Sequence, residues 1–334
     1  ALTLRGEPGA MVEGGESGSV IQVTASGATL EGFTVRGSGS RVITIDAGIR
    51  VLRAQHVAVR NLRLEDILYG IYCERGDGLI VEQCVLKGRV PVGKDDGEGN
   101  GIHLWYTSGC VLNGNDVSHF QDAIYLSFAG DTRATGNLLH DNGRYGFHTM
   151  YCQGSTLTSN TFTHNSAGCA IMFSNHLEVV RNHFIHNRGP RTYGMLLRDC
   201  SDGIFEGNRI VDNTIGMFLD NSNRNRVSGN LIEDNGWGVL LFSSCAGNTF
   251  SRNAFIHDDY PVALDMKHTS NQFDDGRRGN YWSENTPYDL DADGVSDAPY
   301  SPVSTFAFLS KQYPDLSVLA KSPAVAALSV AEQV

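Results

Sequence analysis

Apolar residues in this chain seldom run together; they alternate with polar ones over four to six positions and then break at Gly, Asn or Asp. Period-two alternation marks β-strands, and the breaks come too often for helices of ordinary length. One short phrase recurs: YGIYC from Tyr69, NGIHL from Asn100, DAIYL from Asp122, YGFHTM from Tyr145, CAIMF from Cys169, YGMLL from Tyr193, IGMFL from Ile215, WGVLL from Trp237 and PVALD from Pro261. Counted from the second residue of each phrase, the steps are 31, 22, 23, 24, 24, 22, 22 and 24 residues. Self-similarity at this period predicts a solenoid. The single long step holds KGRVPVGKDDGEGN (Lys87–Asn100), a polar Gly-rich stretch expected to form a loop between rungs.

A second series runs in phase with the first. Asn115, Asn137, Asn160, Asn182, Asn208, Asn230 and Asn253 are each followed two residues on by Val117, Leu139, Phe162, Phe184, Ile210, Ile232 and Phe255. A second Asn follows most of these pairs, as Asn142, Asn165, Asn187, Asn213 and Asn235. Asn tolerates left-handed backbone and bonds to neighbouring amides, so stacked Asn would form ladders along the solenoid. With no helical period, the reading is an all-β, right-handed parallel β-helix over residues 1–278. Leu2–Gly14 is expected to cap its open end, and Ser19–Val23, Ala28–Val35, Val42–Val51 and His56–Leu64 to form the early rungs.

Alternation also sorts the phrase strand into two faces. Ile71 and Cys73, Ile102 and Leu104, Ile124 and Leu126, Phe147, and Ile171 and Phe173 are expected inside. One outward column then reads Tyr72, His103, Tyr125, His148, Met172, Leu196, Phe218, Leu240, Leu264. Its neighbour reads Glu74, Trp105, Ser127, Met150, Ser174, Arg198, Asp220, Phe242, Met266. A solvated face would carry Lys, Glu and Thr; this one is aromatic, His and Met, which predicts a covering partner or ligand. Imidazole with thioether selects copper, Cu(I) above all, and the candidate ligands are His103, His148, Met150 and Met172. This spacing puts Met172 directly above His148, one rung away.

A further set, His119, His164, His186 and His257, alternates with Asp141, Asp212 and Asp234 four residues after the Asn series. Such mixing suits a polar turn better than a metal site. After the last rung, Asp289, Asp291, Asp293 and Asp297 surround Gly294 with the spacing of a hard-cation loop. They are the candidate ligands of a structural Ca²⁺, although Tyr300 stands where an EF-hand has its bidentate Glu.

The net charge of −11 argues against a nucleic-acid partner and suits metal ions or a basic protein surface. Cys73, Cys84, Cys110, Cys152, Cys169, Cys200 and Cys245 form no CxxC pair and read as small buried apolar residues.

The run GNYWS from Gly279, followed by Asp-x-Asp-x-Asp-Gly-x-x-Asp-x-Pro-Tyr up to Tyr300, resembles the closing motif of the NosD family of periplasmic copper-maturation proteins. The preceding G-I-x-L and Asn-x-apolar phrases resemble that family's repeats over most of the chain. The resemblance implies a periplasmic protein, its signal peptide removed, that serves assembly of the copper centre of nitrous oxide reductase. It also implies an ABC transporter's membrane and ATPase subunits and a copper chaperone as partners, with copper (or sulfur) as transient cargo and no catalysis. The residues 279–300 would cap the solenoid, and 301–334 would form a partly helical, partner-docking tail. The competing reading is a carbohydrate-active β-helix, a uronan lyase or epimerase. Such an enzyme needs a cation to neutralise a sugar carboxylate and a base beside it. Only Glu74, Arg198 and Asp220 among the eighteen outward positions meet that need, and the columns place them far apart.

Overall fold

The computed structural model describes residues 2–91, 98–265, 269–285, 289–297, 300, 306, 309, 313–319 and 322–332. Three parallel sheets of 11, 12 and 11 strands wind together as a β-helix. Each rung contributes one strand to each sheet in turn, as Thr156–Thr158, Thr161–Thr163 and Ala167–Met172 do. The first two sheets are built mostly from three-residue strands, and the third from strands of up to six residues that contain the recurrent phrase.

Short strands demand tight corners. Between the first and second sheets the chain turns through one residue of positive φ and one buried Asn, as at Ser159 (φ 55) and Asn160. The next corner repeats the device with His164 (φ 54) and Asn165. A corner of this kind points backbone N–H and C=O groups into a dry interior, where an unpaired group costs about 1–3 kcal/mol. The Asn side chains pair them. Asn160 Nδ2 donates to the Ala134 carbonyl at 3.0 Å and to Asn182 Oδ1 at 2.9 Å, and the backbone N–H of Asn160 donates to the same oxygen at 2.9 Å. The ladder expected from the sequence runs unbroken from Asn115 to Asn253 and continues to Asn280. The second, from Asn142 to Asn235, ends on Asp258. A third, short ladder that the repeat reading missed joins Asn225, Asn248 and Asn271.

Inside, like stacks on like: Phe162 lies on Phe184 at 4.6 Å and 4°, and Ile71, Ile102, Ile124 and Phe147 form one register column. The phrase glycine has a steric reason, since a Cβ on Gly168 would stand 2.6 Å from the Gly194 carbonyl of the next rung.

Several expectations need correction. Leu2–Gly14 is no separate cap; Thr3–Arg5 and Met11–Glu13 are the first strands of two sheets. Ile171 is buried as expected but aligns with Thr149, because Cys169 is the residue beside Phe147. Phe173 was expected inside and is instead an exposed corner residue with φ 49. At the last phrase Leu264 points into the core and Ala263 outward, the reverse of the expectation; Met266 lies outside the described residues. Residues 92–97 of the loop between rungs also lie outside them, while Arg89 at the loop's root bonds Asp66 and the Ser38 carbonyl.

The solenoid runs past residue 278. Tyr281–Trp282 pairs with Ala254 and Phe255, and Trp282 closes the core by stacking on Phe255 at 4.4 Å. The tail is partly helical, with a 3₁₀ segment Pro314–Leu319 and a helix Pro323–Glu332. Phe306 is buried against Tyr260, with Leu316 and Val325 beside it. No helix among the described residues is long and apolar enough to cross a membrane.

Asp258 yields a test of the ladder. Its Oδ1 accepts both N–H groups of Asn235 at 2.8 and 2.9 Å, while buried Oδ2 has no partner. Burial pushes its carboxyl up to about 7 from the ordinary 3.8. The folded state therefore holds a proton that the unfolded state releases near pH 4, and stability falls as pH rises from about 4 to 7. At 1.36 kcal/mol per pH unit the loss is on the order of 4 kcal/mol. Asp258→Asn keeps the acceptor and removes the charge. The melting temperature of the variant at pH 8 should exceed that of the native chain, and the two should converge at pH 4. Equal pH dependence in both chains would refute the assignment.

Candidate functional site

The outward face of the third sheet is a grid whose positions are set by register. Along one column stand Tyr72, His103, Tyr125, His148, Ala170 and Leu196. Along the next stand Glu74, Trp105, Ser127, Met150, Met172, Arg198 and Asp220. Met172 therefore sits directly above Met150, and Ala170 above His148. The repeat spacing predicts Met172 in the His148 column; in the structure it is the diagonal neighbour, about 7–8 Å away by sheet geometry. Ser174 is a buried corner residue, not a member of the outward column.

The two candidate histidines belong to one aromatic stack. Tyr72 and His103 rings are 4.8 Å apart, His103 and Tyr125 4.7 Å, and Tyr125 and His148 4.6 Å. The Tyr125 ring stands between the imidazoles, so His103 and His148 do not converge on one point. His148, Met150 and Met172 do share one patch, as residues i and i+2 of one strand and a neighbour one rung on.

A buried ionic group supports this patch, and the sequence reading did not include it. Asp122, the first residue of its phrase, is fully buried. Arg144 grips it with two bonds, Nε to Oδ1 at 2.8 Å and a terminal nitrogen to Oδ2 at 2.6 Å. His148 Nδ1 lies 3.0 Å from the same Oδ2. Burial alone would raise the carboxyl's pKa, but the bonds from Arg144 and His148 outweigh it and hold Asp122 below the usual carboxylate range. Beside it, burial pushes His103 down to about 4 against the pull of Asp122. Asp at a position held elsewhere by Tyr, Asn, Ala, Ile or Trp is the signal available in the sequence.

A second feature recurs in the sequence at the rung period. Tyr106, Phe128, Tyr151 and Phe173 recur at steps of 22, 23 and 22 residues. They stack face to face 4.8 to 5.1 Å apart, each 39–49% exposed and each with positive φ. Bulky side chains disfavour that backbone region. This exposed aromatic ridge borders Met150 and Met172.

The other candidate sets fall as follows. His119, His164, His186 and His257, with Asp141, Asp212 and Asp234, all have positive φ and form the second corner, the polar turn expected of them. His164 and His186 rings are 6.0 Å apart, and His186 Nδ1 lies 2.5 Å from Asp212. In the acidic loop, Asp289, Asp291 and Asp297 bring carboxylate oxygens within 4.8 Å of one another, Asp293 is outside that group, and all four accept backbone N–H groups of the loop. Arg198 and Asp220 are not far apart, since they are register partners and form an ion pair at 3.4 Å.

The family model described as "Periplasmic copper-binding protein (NosD)" matches residues 87–287. A protein of Pseudomonas aeruginosa, "Probable ABC transporter binding protein NosD", is 32% identical over 97% of this chain and 78% of its own length. The chain belongs to the NosD family. A like-named protein of Stutzerimonas stutzeri is 28% identical over 98% of this chain and 77% of its own length. Among solved structures, the A-module of the mannuronan C-5 epimerase AlgE6 of Azotobacter vinelandii matches with a TM-score of 0.56. It covers 85% of this chain and 81% of that one at 14% identity, a likeness of fold alone. The curated relatives of this family member are named as binding proteins and not as enzymes.

The cysteines contribute nothing to the outward patch. All seven are free thiols buried in the solenoid. Cys152, Cys200 and Cys245 share a corner column with Ser174 and Ser222 between them. Rungs about 4.8 Å apart put these cysteines roughly 9.6 Å from one another, beyond disulfide reach. Burial raises every thiol's pKa, that of Cys84 and Cys152 to about 11. A thiol reagent at pH 8 should modify none of them in the native chain and all seven after denaturation. Rapid native labelling of one or more would contradict this packing.

Proposed function

We propose that this chain is a periplasmic, non-catalytic protein that handles copper with an ABC transporter. Its Cu(I) meets the patch of His148, Met150 and Met172. The observation that carries the reading is this patch itself: one imidazole and two thioethers side by side on an outward face, in a family whose model is described as copper-binding. Soft and borderline donors of this kind select Cu(I) over hard cations. Three donors from one sheet face leave room for a ligand from a donor or acceptor protein, which suits cargo that must be released. The terminal motif supports the finer reading that the client is nitrous oxide reductase, with a copper chaperone and the transporter's membrane and ATPase subunits as partners.

Replacing His148 and Met172 together by Ala is the direct test. His148 is buried and bonds the Asp122 carboxylate, so the double variant should melt several degrees below the native chain while still folding, and the comparison is made below its melting point. Cu(I) affinity in a competition titration should fall at least tenfold, and the client should emerge without its copper centre. Normal affinity and normal maturation in a folded double variant would refute the site.

The loop of Asp289, Asp291 and Asp297 is proposed as a Ca²⁺ site that fastens the end of the solenoid. Carboxylates this close repel one another unless a cation joins them, and Ca²⁺ takes such oxygens at about 2.4 Å. Calcium should raise the melting temperature of the native chain and leave a chain with Asp291→Asn and Asp297→Asn unmoved. No rise in the native chain would refute it.

A further inference from the structure

Two histidines of one aromatic stack are held by one hydrogen-bond network in opposite senses. The network starts at Asn100. Its Oδ1 accepts the backbone N–H of Asp122 at 3.3 Å, which fixes the amide so that Nδ2 faces His103 Nδ1 at 3.2 Å. An amide nitrogen can only donate there, so His103 Nδ1 is an acceptor and its ring proton sits on Nε2. His103 then has no lone pair left for a metal.

His148 is arranged the other way. Asp122, ionised and clamped by Arg144, can only accept, so His148 Nδ1 carries the proton that points to Oδ2. Nε2 is thereby left with its lone pair. His148 is 5% exposed, and Nε2 is buried without any hydrogen-bond partner. A proton placed on Nε2 would be a buried donor facing no acceptor. A carboxylate behind one ring nitrogen and an unpartnered lone pair on the other is the arrangement that holds metal-ligating histidines in place.

We infer that Asp122 and Arg144 are positioning residues that make His148 Nε2 the imidazole donor to Cu(I), while Asn100 bars His103 from that role. The inference rests on the copper reading of this face and narrows the four candidate ligands to His148, Met150 and Met172.

The test uses the full chain, with Cu(I) alone as the probe, and has two readouts. The first is the tautomer of each imidazole in the metal-free native chain, read from ring nitrogen and proton NMR. The expected result is Nδ1–H for His148 and Nε2–H for His103. The reverse for His148 overturns the inference with no variant needed. The second is Cu(I) affinity by competition titration. Asp122→Asn removes the negative charge behind His148 Nδ1 and leaves one oxygen for the three N–H groups that the carboxylate accepts. It should loosen the hold on the Nδ1–H tautomer and weaken Cu(I) by ten- to a hundredfold. His148→Ala should lose at least as much, Asp122→Asn should add little in the His148→Ala background, and His103→Ala should stay within about threefold of native. A large loss from His103→Ala, or a further tenfold loss from Asp122→Asn on top of His148→Ala, would overturn it. Native tautomers as stated in a chain that takes no Cu(I) would instead sink the copper reading and leave the histidine assignment standing.

Discussion

The corner amide is the constraint on which the molecule depends. A β-helix of short strands must turn its backbone three times per rung, and each turn aims polar groups at an interior without water. Buried Asn solves this with one side chain. Its oxygen takes two N–H groups from the rung before, and its nitrogen serves a carbonyl there, as Asn160 and Asn182 do. Because each amide spans two rungs, the ladder ties neighbours together in register as well as satisfying them. Pairing is obligatory in such a place, since water cannot replace a lost partner. Along both long ladders from Asn115 to Asn253 and Asn142 to Asn235, the residue before each Asn has positive φ, a region that Gly, Asn and Asp enter most readily, and Gly and Asp recur there beside His and Arg.

A regular scaffold of this kind turns sequence position into surface coordinates. Fixed corners and parallel in-register strands make the outer face a grid, and chemistry arises where unlike residues fall on neighbouring grid points. The Asp122–Arg144–His148 group shows how such a point is stabilised. A buried carboxylate would be expensive alone; two bonds from Arg144 and one from His148 satisfy it. What remains is one imidazole nitrogen without a partner, on a face that also carries Met150 and Met172. The exposed ridge of Tyr106, Phe128, Tyr151 and Phe173 beside it keeps four bulky residues in a backbone region they disfavour. Stacking between the rings contributes to offsetting that strain.

The same architecture serves a mannuronan epimerase at 14% identity, so the fold by itself assigns no activity. Removing a proton beside a sugar carboxylate requires a free cation and a free base at one open point. On this face Arg144 is bonded to Asp122 and Arg198 to Asp220, while Arg50, beside Tyr72, donates to the Thr44 carbonyl. The relatives are named as binding proteins.

The sequence by itself determined the rungs, the inward columns and the long Asn ladders, because each depends on a residue type recurring at a nearly constant step. It also determined His148, Met150 and Met172 as outward residues, since alternation sets a strand's two faces. Only the tertiary structure decided which of these stand side by side. Alternation has a period of two, so a phrase read two residues late keeps its faces and changes its column, while one read a residue late exchanges its faces. A slip of two at Cys169 kept Ile171 inside but put Met172 in the wrong column, and a slip of one at Pro261 exchanged the faces of Ala263 and Leu264. The support of His148 was invisible for a related reason. Asp122 stands 22 residues from Arg144 and 26 from His148, and no spacing rule says which atoms of three side chains on adjacent rungs meet. That is settled by side-chain packing across the grid, where burial makes a single hydrogen bond decide which nitrogen stays free.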